Sequence, residues 1–223
     1  MPVDDDHVRP TDRTTLRRFN TRGVYDLETI NGILDEGLIC HLGFVEKRGW
    51  PLVIPTAYVR VGRDVYVHGS AASRTMRTLS DGVDVCVSVT LTDGIVLART
   101  AFNHSFNYRS VIIMGRATPV TDPEERLVAL KVLTEGLVPG RWSDVRAPTA
   151  SEIKASALLK IPIDEASVKL RSGPPGDEGE DLEWDTWAGV IPIETLYRPA
   201  ETDPKLPQEY PIPDYVKAYR RPQ

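Results

Sequence analysis

The sequence is short of the features that mark secreted, membrane and nucleic-acid-binding proteins. It has only two cysteines, Cys40 and Cys86, which are too few for a disulfide framework and too far apart for a Cys-x-x-Cys site. No apolar run approaches the roughly 18 residues that a membrane-spanning helix needs, and the N-terminal residues are acidic and polar, unlike a signal peptide. The net charge is −5, so there is no basic excess for nucleic acid. We therefore expect a cytoplasmic protein that binds neither membranes nor nucleic acid.

Catalytic and metal-binding motifs are also missing. The chain has four histidines, but no Gly-x-Ser-x-Gly elbow, no His-Glu-x-x-His pair and no Rossmann glycine fingerprint. Cys40 and His41 are adjacent in a predicted strand, so their side chains point to opposite faces and cannot share one ion. We therefore predict no metal site and assign no catalytic residue.

What the sequence does have is a series of short apolar segments joined by turn residues. The 223 residues, 41% of them hydrophobic, suffice for one domain with a substantial core. Strands are predicted over residues 38–45, 52–61, 65–68, 83–91, 95–102, 108–120 and 157–170. Short strands joined by tight turns are antiparallel neighbours. The pattern therefore favours a closed antiparallel barrel, with helices at its corners, over a doubly wound sheet.

Capping residues and apolar spacing predict four helices. Asp26 caps a helix that Gly37 ends as a left-handed cap, and short helices follow at residues 73–79 and 151–156. Asp122 caps another helix, with an apolar stripe formed by Leu127, Leu130, Leu133 and Leu137. The chain then divides into a polar N-terminal arm (residues 1–22), a barrel domain (23–196) and a Pro-rich tail (197–223) that is expected to be an extended strap.

The most informative segment covers residues 65–79, where a strand ends at His68 and a helix begins near Ser73. Free N–H groups at a helix start can bind an anion, and Arg74 can grip a phosphate with two parallel hydrogen bonds. Two interpretations stay open from the spacing alone. The segment is either a phosphate site, or a helix that Ser73 caps while Arg74 and Arg77 lie in solvent.

A second polar segment lies around the strand that contains Tyr108. Tyr108 and Ser110 share one face of this strand, and Arg109 lies on the other. These residues are interpreted either as ligand contacts or as ordinary barrel and surface positions. His104, in the preceding loop, either reaches a ligand or is solvated.

Four segments, taken in order, resemble a known family. They are residues 40–45 with 51–58, the turn from His68-Gly-Ser to Ser73-Arg74, Tyr108-Arg-Ser-Val with Gly115-Arg-Ala117, and residues 187–192. Together they resemble the FMN-binding split-barrel proteins related to pyridoxamine 5'-phosphate oxidase, especially the branch that includes nitroimidazole-resistance proteins. The resemblance implies a mainly β, α+β fold: a six-stranded antiparallel split barrel that forms a homodimer with FMN at the subunit interface.

The resemblance also implies a set of cofactor-binding positions. Residues 53–56 would lie along the flavin ring, residues 68–70 would flank the ribityl chain and phosphate, and Ser73 with Arg74 would hold the phosphate. The full set is Val53, Ile54, Pro55, Thr56, His68, Gly69, Ser70, Ser73, Arg74, Tyr108, Arg109, Ser110 and Trp187. Two departures matter: Thr75 follows Arg74 where the oxidases have a second basic residue, and their C-terminal Arg-Leu-x-Pro signature is absent.

The resulting expectation is an FMN-dependent oxidoreductase that acts on a small organic substrate, with NAD(P)H as a candidate reductant. Oxidation of pyridoxamine phosphate itself is not expected. One alternative is a deazaflavin-dependent reductase of the same fold. The other is a non-catalytic flavin- or haem-binding protein, for which His41, His68 or His104 would be the axial ligand.

Overall fold

The computed structural model describes residues 6–18, 20–206 and 210–220. These residues form ten strands: β1 (Gly23–Val24), β2 (Ile39–Val45), β3 (Pro51–Val61), β4 (Asp64–Ser70), β5 (Asp84–Leu97), β6 (Ser105–Arg116), β7 (Thr118–Pro119), β8 (Ser156–Pro162), β9 (Glu165–Arg171) and β10 (Gly189–Pro192). They also form five helices: α1 (Leu27–Glu36), α2 (Arg74–Ser80), α3 (Pro123–Leu137), α4 (Ala150–Ala155) and α5 (Asp214–Lys217). Short 3-10 turns cover Asn20–Arg22, Ala101–Asn103, Arg141–Asp144 and Gly179–Glu183.

All strand pairs are antiparallel, as the tight turns predict. The strands follow the order β1-β9-β6-β5-β2-β3-β4-β8-β7, and β10 pairs with β5. Two long strands each have different neighbours at their two ends. β3 pairs with β2 along residues 51–57 and with β4 along 58–61. β5 pairs with β2 along residues 85–88 and, on the same edge, with β10 along 94–97.

The strands close around one hydrophobic core. Inward positions alternate along each strand, and the buried ones include Leu42, Val87, Val111, Ile113, Leu159, Ile161 and Val168. Gly115 allows the closure: a Cβ there would lie 3.1 Å from Ile161 Cγ2 and 3.3 Å from the Pro162 carbonyl oxygen, so β6 passes close to the end of β8. A smaller cluster under α3 contains Tyr66, Val120, Ala129, Leu133 and Leu158.

Three helices begin at the capping residues that the sequence predicts. Asp26 Oδ1 accepts a hydrogen bond from the Thr29 N–H at 2.7 Å at the start of α1. Ser73 Oγ accepts from the Met76 N–H at 3.1 Å at the start of α2. Asp122 Oδ1 does the same for α3 at 2.7 Å. Each side chain satisfies an N–H group that the first helical turn leaves unpaired.

The prediction of a left-handed cap at Gly37 is wrong. Gly37 has φ −68° and ψ 143°, because the chain runs from α1 straight into β2. A glycine is needed here for space instead. A Cβ at this position would lie 2.5 Å from Tyr58 Oη and 2.7 Å from Val89 Cγ1.

Several predicted segments divide differently in the structure. Residues 83–102, predicted as two strands, contain the single strand β5, which continues through an irregularity between Thr92 and Gly94. Residues 157–170, predicted as one strand, form the hairpin of β8 and β9. Of the predicted α3 stripe, Leu133 is buried but Leu127 is 42% exposed. The helix packs on the sheet through a narrower face than the leucine spacing indicates.

Both ends of the described chain are attached to the barrel. The Val8 N–H donates to the Tyr25 carbonyl at 2.9 Å, and Val8 is buried. In the tail, Tyr219 Oη donates to the carbonyl of Leu137 at 2.7 Å, at the end of α3. No helix in the described ranges is long and apolar enough to cross a membrane.

Candidate functional site

The barrel is split open between β3 and β4. These strands pair only along residues 58–61 and 64–67, and β4 then continues beside β8 as far as Ser70. No strand in the described part of the chain pairs with residues 51–57 on the edge opposite β2. Their N–H and C=O groups on that edge are therefore open to a ligand. Residues 53–56, predicted to lie along a flavin ring, are part of this open edge.

The side chains of these four residues divide between the two faces of the sheet. Val53 and Pro55 point outward, and Val53 is 64% exposed. Ile54 and Thr56 alternate with them, and Ile54 packs against the core. An apolar, solvent-facing strip thus lies directly beside the open backbone edge.

This strip continues across an outer face shared by β3, β2, β5 and β6. Strand register aligns outward positions in rows. One row contains Val53, Gly43, Cys86 and Met114, and the next contains Pro55, His41, Ser88 and Ile112. Beyond these rows, Ala57 pairs with Ile39 and Thr90 pairs with Ser110. The face is thus largely apolar, with hydroxyl groups and one histidine at its centre.

Most backbone N–H groups in the turn between β4 and α2 already donate hydrogen bonds to other groups of the chain. The Ala71 N–H donates to Ala155 O, Ala72 to Ser70 Oγ, Ser73 to Ser70 O and Met76 to Ser73 Oγ. The N–H groups of Arg74 and Thr75 carry no hydrogen bond among the described residues. With only seven residues in α2, a phosphate here would depend on the Arg74 side chain more than on the helix.

Arg74 is 64% exposed at its side chain and lies beside a buried acid. Its Nε is 3.7 Å from Oε2 of Glu46, whose side chain is only 7% exposed. Glu46 follows β2, and its N–H donates to the Trp50 carbonyl at the start of β3. Arg74 therefore lies at the end of β3 where the open edge begins.

His68 and Gly69 occupy the end of β4 with different roles. His68 is exposed, opposite Leu158 of β8. Gly69 is predicted to flank the ribityl chain and phosphate, but the space in front of its Cα is filled by Met76. A Cβ there would lie 3.0 Å from Cγ and 3.1 Å from Sδ of Met76, so the glycine lets α2 pack against β4.

The β6 residues divide between the two faces as the alternation predicts. Tyr108 and Ser110 lie on the outer face, and Ser110 Oγ is 2.9 Å from Thr90 Oγ1. Arg109 points the other way, to the end of the barrel near α1. It donates from NH2 to Glu36 Oε1 and to Asp93 Oδ1, both at 2.8 Å.

The Arg109 guanidinium thus donates hydrogen bonds to two carboxylates. Hydrogen bonds from the guanidinium to Asp93 and Glu36 raise the pKa of Arg109 above its ordinary value. It forms one wall of a cavity of about 510 Å³ that Tyr108 and Arg171 also line. Within one chain Arg109 acts as an anchor for α1 and β5, and it does not share the outer face with Tyr108.

Trp187 lies against β10 at the far end of the outer face. Its ring is 2.8 Å from where a Cβ of Gly189 would lie, and it is 66% exposed. Gly189 pairs with Leu97, and Ile191 and Phe106 pair with Ile95 from either side. The indole therefore extends an exposed apolar patch formed by Phe106, Ile95, Ile191 and Trp187.

His104 immediately precedes β6 beside this patch. Its Nδ1 is 2.7 Å from the Thr100 carbonyl oxygen, which fixes the ring and leaves Nε2 directed elsewhere. Within residues 6–18, 20–206 and 210–220, no such bond is present for His41 or His68. Of the three, His104 has the most constrained ring.

The described residues contain no group of three or more metal-ligating side chains. The environment of the two thiols disfavours the thiolate form. Burial raises the pKa of Cys40 to about 12 and raises the pKa of Cys86 as well.

Within one chain, the structure brings together some of the predicted positions and separates others. Val53, Pro55 and Arg74 lie around the split, and His68 and Ser70 lie on β4 at its other border. The β6 residues are three strands away from β3, so the row from Val53 to Met114 spans roughly 14 Å at the normal strand spacing. Trp187 lies at the opposite end of the face.

Comparison with known proteins matches this architecture. The family model described as pyridoxamine 5'-phosphate oxidase matches residues 26–170. The chain belongs to the pyridoxamine 5'-phosphate oxidase family. The prediction of the family and of its split-barrel fold class is thereby confirmed.

Solved structures of similar proteins align over most of the chain. The flavocytochrome Anf3 from Azotobacter vinelandii is 40% identical, with 95% of this chain and 98% of that chain covered and a TM-score of 0.90. An FAD and haem binding protein from Mycobacterium smegmatis is 35% identical, with 87% and 95% covered and a TM-score of 0.83. A candidate 5-nitroimidazole antibiotic resistance protein from Bacteroides thetaiotaomicron shares the fold at 20% identity, with 66% and 85% covered and a TM-score of 0.56. No curated protein sequence matches the chain.

One residue of the site is not identified by sequence reasoning. Glu46 begins the turn Glu-Lys-Arg-Gly, a composition typical of a solvated hairpin loop. Its ion pair is with Arg74 on α2, a helix that lies far from this turn in the sequence. The only sequence signal is indirect: Thr75 departs from the family's tandem basic pair, so the electrostatics of the turn differ from those of the oxidases.

Proposed function

We propose that the protein is a flavin-dependent oxidoreductase that binds the isoalloxazine ring along the open edge of β3, with Arg74 holding the phosphate. The observation that carries this proposal is the unpaired edge of residues 51–57 beside the exposed Val53 and Pro55. A bound flavin would supply the hydride and electron chemistry, and the protein would supply position and electrostatics.

The residues present fit a flavin. The ring system is planar and apolar on its faces, which suits Val53 and Pro55, and its pyrimidine edge needs several hydrogen-bond partners. Backbone N–H and C=O groups of β3 offer both donors and acceptors in a fixed row. The exposed guanidinium of Arg74 lies at one end of that row, where the phosphate of FMN or FAD would extend.

The likeness to a flavocytochrome and to an FAD-binding protein over nearly the whole chain supports a flavin. FMN is the cofactor that the sequence predicts, and FAD offers the same riboflavin phosphate with an added nucleotide. A deazaflavin is the remaining alternative. NAD(P)H is proposed as the reductant and a small conjugated organic molecule as the substrate class.

We propose in addition that the flavin lies between two copies of the chain. The outer face exposes Ile39, Val45 and Val53 at 48%, 56% and 64%. A contiguous apolar face of this kind marks an interaction site. In such a dimer, Tyr108 and Ser110 of one copy would approach residues 53–56 of the other, which a single chain cannot arrange.

The test is flavin binding followed by absorbance and fluorescence quenching, with FMN, FAD and a deazaflavin titrated separately. Arg74→Ala should weaken phosphate-bearing flavins by about 1.5–3 kcal/mol, the range for a charge-assisted hydrogen bond. Arg77→Ala, an exposed arginine one turn further along α2, is the matched control and should change affinity little. Equal losses from both variants would show that the phosphate lies elsewhere, and no binding of any flavin would refute the proposal.

A second function, haem binding, is favoured by His104. In a haem ligand one imidazole nitrogen faces the iron and the other is held by an acceptor, and Nδ1 of His104 is held in this way by the Thr100 carbonyl oxygen. The exposed Phe106, Ile191 and Trp187 nearby would cover a macrocycle face. Of the similar proteins named above, the one from Azotobacter vinelandii is described as a flavocytochrome and the one from Mycobacterium smegmatis as a haem-binding protein.

Haem reconstitution tests this second function. Loss of the low-spin Soret spectrum in His104→Ala, with His41→Ala and His68→Ala unchanged, would support His104 as an axial ligand. Loss in His41→Ala or His68→Ala instead would reassign the ligand, and a spectrum like that of free haem in the wild type would reject haem binding.

A further inference from the structure

The buried carboxylate of Glu46 has no role in the fold that its contacts explain. Its side chain is 7% exposed, and Oε1 has no hydrogen-bond partner in the described part of the chain. A buried carboxylate oxygen without a partner is costly, so it is uncommon outside functional sites. Its other oxygen, Oε2, lies 3.7 Å from Nε of Arg74.

The carboxylate of Glu46 lowers the positive charge of the turn between β4 and α2, where the phosphate is proposed to bind. Arg74 is opposed by Glu46, and Lys47 by Asp81 at 2.7 Å. Arg77 is the remaining cation on α2, and Thr75 adds none. The charge of Arg74, which the proposed flavin phosphate would meet, is therefore offset mainly by Glu46 at 3.7 Å.

The charge of the phosphate differs between the two common flavins. A phosphate monoester such as that of FMN carries about −1.5 to −2 at pH 7. The riboflavin-side phosphate of FAD is joined to the second phosphate by an anhydride bond, so it keeps only one ionisable oxygen and carries about one negative charge. An arginine whose charge is partly offset by Glu46 matches the singly charged phosphate of FAD better than the phosphate of FMN.

We propose that Glu46 is a specificity-determining residue that makes the turn select FAD over FMN. This inference rests on the proposed function, because it places the flavin phosphate at Arg74. The carboxylate of Glu46 repels the additional negative charge on the phosphate of FMN. Because Glu46 is buried, this repulsion is stronger than it would be in water. Glu46 also limits how much of the Arg74 charge is available to the ligand.

The experiment compares dissociation constants for FMN and FAD in the intact protein. Wild type should bind FAD more tightly. Glu46→Gln, which keeps the shape and removes the charge, should tighten FMN relative to FAD by about tenfold, the effect of one charge at short range. Asp81→Asn is the matched control: it removes the same charge from the partner of Lys47 and should leave the ratio nearly unchanged.

A gain-of-function variant keeps the test decisive if Glu46→Gln folds poorly. Thr75→Arg adds a cation beside Arg74 and should also shift preference toward FMN. Both shifts should diminish with added salt. An unchanged ratio in Glu46→Gln and Thr75→Arg, or an equal shift in Asp81→Asn, would overturn the inference while leaving the flavin proposal intact. Absence of binding by either flavin would remove both.

Discussion

Asp177 holds the β5–β6 loop from a point far along the chain. Its Oδ2 accepts from the Arg99 N–H at 2.8 Å, and its Oδ1 accepts from Asn103 Nδ2 at 3.1 Å. The Arg99 guanidinium lies 3.4 Å from the same carboxylate. One side chain thus fixes the loop that leads to His104.

This arrangement gives Asp177 a pH-dependent role. The hydrogen bond from the Arg99 backbone is the main cause that lowers the pKa of Asp177 below its ordinary value of 3.8. Because the folded-state pKa is depressed, the stabilisation is complete above 3.8 and is lost as the pH falls through the lower folded-state value. We expect the Arg99 amide resonance to move only in that acidic range.

Substitution should reproduce the acid effect at neutral pH. Asp177→Ala should raise the exchange rates of the Arg99 backbone amide and of the Asn103 side-chain amide, because both lose their acceptor. Glu178→Ala, the exposed neighbouring acid, is the control and should leave both rates unchanged. Unchanged protection in Asp177→Ala would mean that the loop is ordered by other contacts.

The sequence could not identify Asp177, although it identifies several single residues well. Asp26, Ser73 and Asp122 cap helices through bonds only three residues away, so local sequence determines them. Asp177 lies 78 positions from Arg99, in a polar Gly/Pro loop where acids are ordinarily solvated. Glu46 escapes prediction for the same reason, since its ion pair is with Arg74 on a helix that is distant in the sequence.

At the scale of elements, the junction between α1 and β2 depends on the absence of a side chain. Gly37 accommodates Tyr58, whose hydroxyl donates to the Leu34 carbonyl at 2.6 Å. A methyl group at Gly37 would lie 2.5 Å from that hydroxyl. Either the hydrogen bond or the packing of α1 must then give way.

Gly37→Ala should therefore destabilise the protein by about 1–3 kcal/mol, the usual cost of overpacking. Gly32, within α1, is the matched control because a Cβ there meets nothing within 4 Å. Gly32→Ala should stabilise by about 0.5–1 kcal/mol through helix propensity. Chemical denaturation of the two variants measures both effects, and equal effects of the same sign would contradict the steric argument.

The elements that the sequence predicts correctly are those with strong local signals. Helix starts and antiparallel hairpins follow from caps and turn residues. The continuity of β5 does not follow from local signals. Thr92, Asp93 and Gly94 have the composition of a turn, but they form an irregularity within one strand that pairs with β6 and β10. Non-local pairing overrides the local turn signal there.

At the scale of the whole molecule, the outer face of the sheet is an apolar surface that stays exposed to solvent. Strand alternation predicts its inward positions, but the split that opens β3 depends on where β4 leaves β3 for β8. The resemblance to the family supplied that feature, while composition and periodicity could not. Composition and periodicity also do not predict that residues 53–56 and 108–110 lie apart on one chain. In the proposed dimer, residues 108–110 of a second copy would lie near residues 53–56.

Val53→Glu tests this assembly, since Val53 is 64% exposed at the centre of the proposed interface. A carboxylate there should weaken dimerisation by at least about tenfold, because burying a charge without a partner is costly. Val128→Glu is the control: Val128 is 59% exposed on α3, away from the outer face. We expect sedimentation to show a wild-type dimer, a dissociating Val53→Glu variant and a wild-type-like Val128→Glu variant.

The same variants separate assembly from cofactor binding. If the flavin binds only the dimer, saturating flavin should stabilise the wild type by about 2.7 kcal/mol at one hundred times the dissociation constant. The stabilisation should then depend on protein concentration and should be reduced in Val53→Glu. A monomeric wild type that binds flavin fully would instead mean that one chain completes the site, with the β3 edge sufficient by itself and the outer apolar face reserved for another partner.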